Sequence, residues 1–195
     1  SSYLLKDILE MEGLRHSSKL QDLLRLIAFQ IGSEVSLNEL SRQIGMDVKT
    51  VDKYLELLEK VFVIFRVRGY SMNLRKEIVK SPKFYFFDNG ILNALISSLN
   101  PLELRNDAGL LWENYIISER LKMQEYTGLA VNNFFWRTYD QQEIDWVEER
   151  EGQLFGYELK WSKPTAKTPS AWKTAYPEAQ FKVIHPGNFL EFVLP

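Results

Sequence analysis

The sequence predicts an α+β chain built from two modules, and three observations carry that prediction. Between residues 17 and 62, apolar side chains recur at helical spacing and are bounded by capping and stop residues. Beyond residue 130, short runs alternate apolar and polar side chains in the manner of strands, behind one long helical stretch. The charge also changes sign along the chain. Residues 49–83 hold nine Lys/Arg against four Asp/Glu, and residues 101–195 hold ten against fourteen. A basic middle and an acidic end place the division between residues 95 and 96, giving modules 1–95 and 96–195.

The first helix follows from Leu20, Leu23, Leu24, Ile27 and Ile31, with Gly32 as its stop. Ser36 then caps a short helix, with Glu39 three residues later in capping-box position. Leu37, Leu40 and Ile44 form its apolar stripe, and Gly45 ends it. A third helix starts at Asp47 and carries Val48, Val51, Leu55, Leu58 and Phe62 on one face. Three helices with a tight turn between the last two form a helix-turn-helix pattern. Strand-like runs at 61–68 and 83–87 flank a charged loop, so the module is expected to be a winged helix-turn-helix. Its exposed basic residues would be Arg66, Arg68, Arg75, Lys76, Lys80 and Lys83.

If such a module binds DNA, Lys49, Thr50 and Lys53 face the major groove while Arg66, Arg68, Arg75 and Lys76 meet phosphates. The same helix carries Asp52, Glu56 and Glu59 and lacks an arginine for bidentate contact with guanine. A protein partner therefore remains open beside DNA.

In the second module, residues 107–126 read as a long, largely buried helix, with Glu113 beside Ile116 and Ile117. A buried carboxylate there needs a partner: Arg120, Lys160 or a metal ion. Strands are expected at 134–138, 143–148 and 154–161, then a short helix at 170–175. The apolar runs "QFKVIHP" and "FLEFVLP" are read as closing strands, and Glu148 to Glu151 as solvated surface. Side chains two apart on a strand share a face. Glu158 and Lys160 thus project together from between Tyr157, Leu159 and Trp161.

Helix, three strands and helix with a Glu…Asp…Glu-x-Lys constellation match the core of a restriction-endonuclease-like α/β domain with a mixed central sheet, the PD-(D/E)XK type. In that reading Asp145 and Glu158 ligate Mg²⁺ or Mn²⁺ through hard carboxylate oxygens, with Glu113 as a third ligand. Lys160 orients the attacking water and offsets phosphate charge. Glu113, Asp145, Glu158 and Lys160 are the catalytic candidates. Ile144 stands where the family pattern has proline.

The stretches "YLLKDIL", "LNELSRQIGMDVKTVDKYLELLEKVFVI", "KSPKFYFFDNGILNAL", "GLLWENYIISERL", "FWRTYDQQEIDWV" and "YELKWS" together resemble the C-terminal region of prokaryotic AAA+-type ATPases of the archaeal-ATPase-like kind. There a P-loop domain precedes a winged helix and a nuclease-like domain of unknown function. The resemblance implies DNA and an N-terminal ATPase domain as partners in the intact protein, and a homo-oligomer as the assembly. No G-x-x-x-x-G-K-[ST] loop occurs in these 195 residues, so ATP would bind only to the N-terminal domain that this sequence lacks.

Composition sets the remaining bounds. The absence of cysteine excludes disulfides and thiolate metal sites and points to a reducing, cytoplasmic setting. No apolar run reaches the roughly 20 residues that span a bilayer, so no membrane partner is expected. The opening "SSYLLKDILEMEG" is too acidic for a signal peptide, and its abrupt helical pattern is that of a piece of a longer chain.

Overall fold

The structure is a computed structural model and describes residues 17–71 and 81–195. The chain divides into two compact units: Ser1–Arg66 with Ser81–Leu104, and Val67–Lys80 with Arg105–Pro195. The division thus falls at Leu104, later than the charge pattern placed it, and the stretch after Arg66 belongs to the second unit. Of the expected DNA-facing residues, Arg75, Lys76 and Lys80 lie outside the described residues, as does "YLLKDIL".

The first unit begins with α1 (Ser17–Phe29), α2 (Leu37–Ile44) and α3 (Val48–Lys60). Leu20, Leu23, Leu24 and Ile27 of α1, Leu40 of α2 and Val51, Leu55 and Leu58 of α3 are buried. Their spacing gives each helix one apolar stripe, and burying those stripes drives the three together. Local chemistry sets the ends. Ser36 Oγ accepts the Glu39 N–H at 3.4 Å, and Asp47 Oδ1 accepts the Thr50 N–H at 2.9 Å. These satisfy backbone donors that a helix start otherwise leaves unpaired. The Glu39 carboxylate does not complete a box; it accepts from Gln43 at 3.2 Å. Gly45 takes φ +63°, the left-handed turn that releases the chain into α3. Lys19 Nζ donates to the Ile44 and Gly45 carbonyls at 2.6 and 3.0 Å, placing a cation at the negative end of α2.

Strands β1 (Ile64–Gly69) and β2 (Lys83–Phe86) follow, then α4 (Asn89–Leu95) and a 3₁₀ turn at Leu102–Leu104. The Phe87 N–H donates to the Val63 carbonyl, Phe65 packs on Tyr85, and Arg66 lies over Phe84. That descending order is antiparallel. Lys83, expected as an exposed wing residue, is buried instead. All four residues of β2 are buried, so no face of that strand remains for solvent.

The second unit contains α5 (Ala108–Thr127), β3 (Asn132–Arg137), β4 (Glu143–Arg150), β5 (Gln153–Leu159), α6 (Ser170–Ala175), β6 (Gln180–Ile184) and α7 (Leu190–Val193). The strand order is β2-β1-β3-β4-β5-β6. β3, β4 and β5 form an antiparallel meander, while β1 joins β3 and β6 joins β5 in parallel, so the six-stranded sheet is mixed. Trp136, Ile144, Val147 and Trp172 make a core on one face. Gly156 permits it, because a Cβ there would approach Ile144 to 3.2 Å and Trp172 to 3.4 Å.

The closing run "FLEFVLP" is a single helical turn, not a strand. Asn188 explains the difference: Oδ1 accepts the His185 N–H at 2.8 Å and Nδ2 donates to the Val183 carbonyl at 2.9 Å. Such side-chain bonds to the backbone turn the chain off the β6 ladder. Among the described residues no helix is long and apolar enough to cross a membrane.

Candidate functional site

Asp145 sits at a defect in the β3–β4 ladder. Phe134 pairs with Val147 and Trp136 with Ile144, leaving Phe135 opposite both Asp145 and Trp146. One extra residue on one strand is a β-bulge, a device that re-aims a side chain. Its effect is visible in the core, where Ile144 and Val147 share a face although they are three apart. On the other side the β4–β5 pairing ends at Trp146–Tyr157. Beyond that point Asp145 Oδ2 accepts the Leu159 N–H at 2.8 Å, a side chain standing in for a ladder carbonyl.

That bond brings Asp145 alongside the Glu158–Leu159–Lys160 segment. Lys160 Nζ lies 2.5 Å from Glu158 Oε1. Half-burial works to lower the Lys160 pKa, but the hydrogen bond to Glu158 and the charges of Glu158, Asp145 and Glu113 outweigh it. The ammonium is therefore held above its ordinary value. The three acids thus act on Lys160: Glu158 by direct contact, Asp145 and Glu113 through their charge. Glu113 comes from α5 and is half-buried.

The donor chemistry is that of a hard divalent cation, since all three acids offer carboxylate oxygen. Among the described residues, however, no three acidic or histidine side chains are gathered as a group to hold a metal ion. Lys160 is the cation paired with Glu158, and the charges of Asp145 and Glu113 also bear on it.

Arg120, considered as a partner for Glu113, is committed elsewhere. Its Nε and Nη2 donate to Glu148 Oε1 and Oε2 at 2.6 and 2.8 Å, and Nη1 donates to the Phe192 carbonyl at 2.7 Å. Gln124 and Trp146 also donate to Glu148 Oε1, at 2.8 and 3.1 Å. Glu148 is 0% exposed, which overturns its reading as solvated surface. Its place in the acidic run "VEEREG" hid it. The available signal was Trp146 two residues earlier, a ring that must face the core.

Of the nucleic-acid candidates, Lys49, Lys53 and Arg68 are exposed. Thr50 gives its hydroxyl proton to Asp47 Oδ2 at 2.5 Å. Arg66 was expected at the surface, yet only 17% of its side chain is exposed, and Nη2 lies 3.0 Å from Asp52 and 3.3 Å from Glu59. The acids of α3 that would repel phosphate instead neutralise this arginine. Burial pushes the Glu59 carboxyl above its ordinary value, against the pull of Arg66.

Fold and site define a two-unit α/β chain whose second unit pairs Glu158 with Lys160 at a strand end, within reach of the charges of Asp145 and Glu113. The chain belongs to the family described as domain of unknown function DUF8612, whose model matches residues 1–103. A second model, domain of unknown function DUF4143, matches residues 108–191. Uncharacterised proteins of Mycobacterium bovis and Mycobacterium tuberculosis are each 24% identical over 197 residues, covering 96% of this chain and 43% of their own length. An uncharacterised protein of Haemophilus influenzae is 23% identical over 168 residues, covering 84% and 39%. The chain therefore spans less than half the length of these relatives. No solved structure matches.

Proposed function

We propose that the chain is the C-terminal DNA-binding and nuclease-like region of a prokaryotic AAA+-type ATPase. In this reading the first unit is a winged helix-turn-helix, and the second is a restriction-endonuclease-like domain for metal-dependent phosphodiester cleavage. The observation that carries it is the set of three acids from α5, β4 and β5 whose charges meet at Lys160. A bulge that turns Asp145 toward the end of β5 supports it, because bulges of this kind accompany functional sites. The length of the relatives beyond this chain leaves room for the ATPase domain.

Asp145 and Glu158, with Glu113, would hold Mg²⁺ or Mn²⁺, which when bound supplies a Lewis acid against the charge of the phosphate. Lys160 would leave Glu158 to bear on the phosphate and orient water. Lys49 and Lys53 on α3, and Arg68 with Arg75 and Lys76 beyond it in the chain, would meet duplex backbone. Neutralising Arg68, Arg75 and Lys76 should weaken binding to all DNA sequences alike and reduce the salt slope by roughly 0.9 for each cation removed from a phosphate. An unaltered slope would point to a protein partner.

A second reading is a non-catalytic regulatory module on the ATPase that binds DNA or protein. The short Glu158–Lys160 pair favours it, since a lysine already neutralises the acid. Thermal melts separate the two. In the catalytic reading Mn²⁺ at a hundredfold excess over its dissociation constant stabilises the chain by about 2.7 kcal/mol, and Asp145→Asn abolishes the gain. The regulatory reading predicts no metal-dependent shift in either protein. A wild-type melt indifferent to Mn²⁺ and Mg²⁺ would sink the catalytic reading.

A further inference from the structure

The residues next to the acidic cluster on two elements are aromatic. Trp112 precedes Glu113 on α5, and Trp161 follows Lys160 at the end of β5. Their rings meet at 5.5 Å. Phe189 lies 5.3 Å from Trp112, and Tyr115 lies 6.2 Å from Trp112 and 6.3 Å from Phe189. Trp112 is buried as the back wall. In front of it Trp161 is 40% and Tyr115 38% exposed. None of these ring pairs is stacked in parallel. Trp112 has no hydrogen-bond partner for its indole N–H, so packing alone holds the ring.

The sequence that leads on from Trp161 carries charge of one sign. From Leu159 to Pro177 the sequence carries Lys160, Lys163, Lys167 and Lys173 and no acid, within a half of the chain that is otherwise acidic. Lys163 and Lys167 are exposed, and neither forms an ion pair among the described residues. They follow directly on Trp161 in the loop that leads to α6.

We propose that Trp161 and Tyr115 form a stacking platform for an unpaired nucleobase, with Lys163 and Lys167 on the adjoining phosphates. The second unit would then engage single-stranded nucleic acid next to its carboxylate–lysine cluster. Aromatic faces with a basic track are the two elements of single-strand binding, because every base offers a π-face and every linkage a negative charge. A base inside a duplex has both faces covered by its neighbours, so only unpaired or frayed nucleotides can use the platform. An apolar protein face would fit the rings but not the exposed Lys163 and Lys167 that follow them. The proposal rests on the nuclease-like reading for its substrate class, but the binding itself needs neither metal nor cleavage.

The test is fluorescence anisotropy of the whole chain in EDTA, with labelled oligothymidylate and, separately, with the corresponding duplex. Trp161→Ala should weaken single-strand binding about tenfold and leave duplex binding within about twofold. Trp161→Phe should restore most of the loss. Lys163→Gln with Lys167→Gln should lower the single-strand salt slope by roughly 0.7 for each lysine. Equal affinities of wild type and Trp161→Ala for oligothymidylate would overturn the proposal. So would self-association, measured by sedimentation, that Trp161→Ala disperses while oligonucleotide binding persists. Trp161-dependent single-strand binding without any Mn²⁺-dependent cleavage would defeat the catalytic reading and leave this inference standing. Cleavage indifferent to Trp161 in both binding and rate would do the reverse.

Discussion

Two charged clusters lie three residues apart on β4 and are built on opposite principles. Around Glu148, every strong donor is aimed inward: two from Arg120, one from Gln124 and one from Trp146, with Arg120 spending its remaining arm on the Phe192 carbonyl. This joins α5, β4 and α7 around a charge that water does not reach. Around Asp145 the same strand breaks register, and Asp145, Glu158 and Glu113 are each partly exposed. The closed cluster is saturated and has nothing left for a ligand. The open one keeps the Glu158–Lys160 pair and the Asp145 bond to Leu159 at a strand end that solvent reaches. Two charged clusters on one strand therefore differ in the access of solvent to them, not in the kinds of residue they hold.

The largest expected effect would test the closed cluster. Glu148→Ala leaves Arg120 charged and buried, which costs about 3–5 kcal/mol, read as a loss of urea midpoint or melting temperature. Replacing both partners by Met and Leu should cost far less than the two single losses together, because no orphaned charge remains. Additive losses would show that the two residues act independently and would end the contrast.

A smaller effect separates the hydrogen bond of Asp145 from its charge. Asp145→Ala strands the Leu159 N–H and should cost about 1–3 kcal/mol. Asp145→Asn keeps an oxygen for that bond, so its metal-free stability should stay within about 0.5 kcal/mol of wild type. Equal losses in Ala and Asn would mean that the charge, and not the hydrogen bond, holds the strand end.

The smallest effect belongs to Lys160. Its pair with Glu158 is partly exposed, so Lys160→Met should change stability by about 0–1 kcal/mol. The sign with pH is determined. The folded ammonium pKa is raised, so the contribution is complete below the ordinary value of 10.5 and fades as pH rises through the higher folded value. Melts of the two proteins should differ by a constant amount through neutral pH and converge in strong alkali.

How much of this was legible in sequence follows from the range of each signal. Caps act over three residues, so Ser36, Asp47 and Gly45 placed α2 and α3 almost to the residue. The period-2 runs placed β3, β4 and β5, and α6 falls at Ser170–Ala175 as read. The helix at α5 was read from its apolar content, but its buried side also carries Asn114, Ser118, Arg120 and Gln124. Those burials depend on strands and a closing turn far along the chain, and no local pattern encodes them. The bulge was equally hidden, because it is a mismatch between two strands and belongs to neither alone. Arg66 was misplaced for the same reason: its partners Asp52 and Glu59 sit on the preceding helix, and only the fold brings them within 3.3 Å. The Glu158–Lys160 pair was legible because the two residues are two apart on one strand. Glu113 was singled out as a carboxylate beside Ile116 and Ile117 that needs a partner.

β1 has one further consequence. Its first half, to Arg66, belongs to the first unit, and its second half supplies Arg68 and Gly69 as the parallel partners of Phe134 and Phe135. A cut at the border of the two matched family regions, between residues 103 and 108, would leave the second piece without that partner. Its β3 would become an open edge with bare amides beside Phe134 and Phe135, the kind of edge on which chains template one another into aggregates. The smallest soluble form of the second unit should therefore retain the strand that precedes β3 in the sheet, supplied either in the same chain or as a complementing peptide.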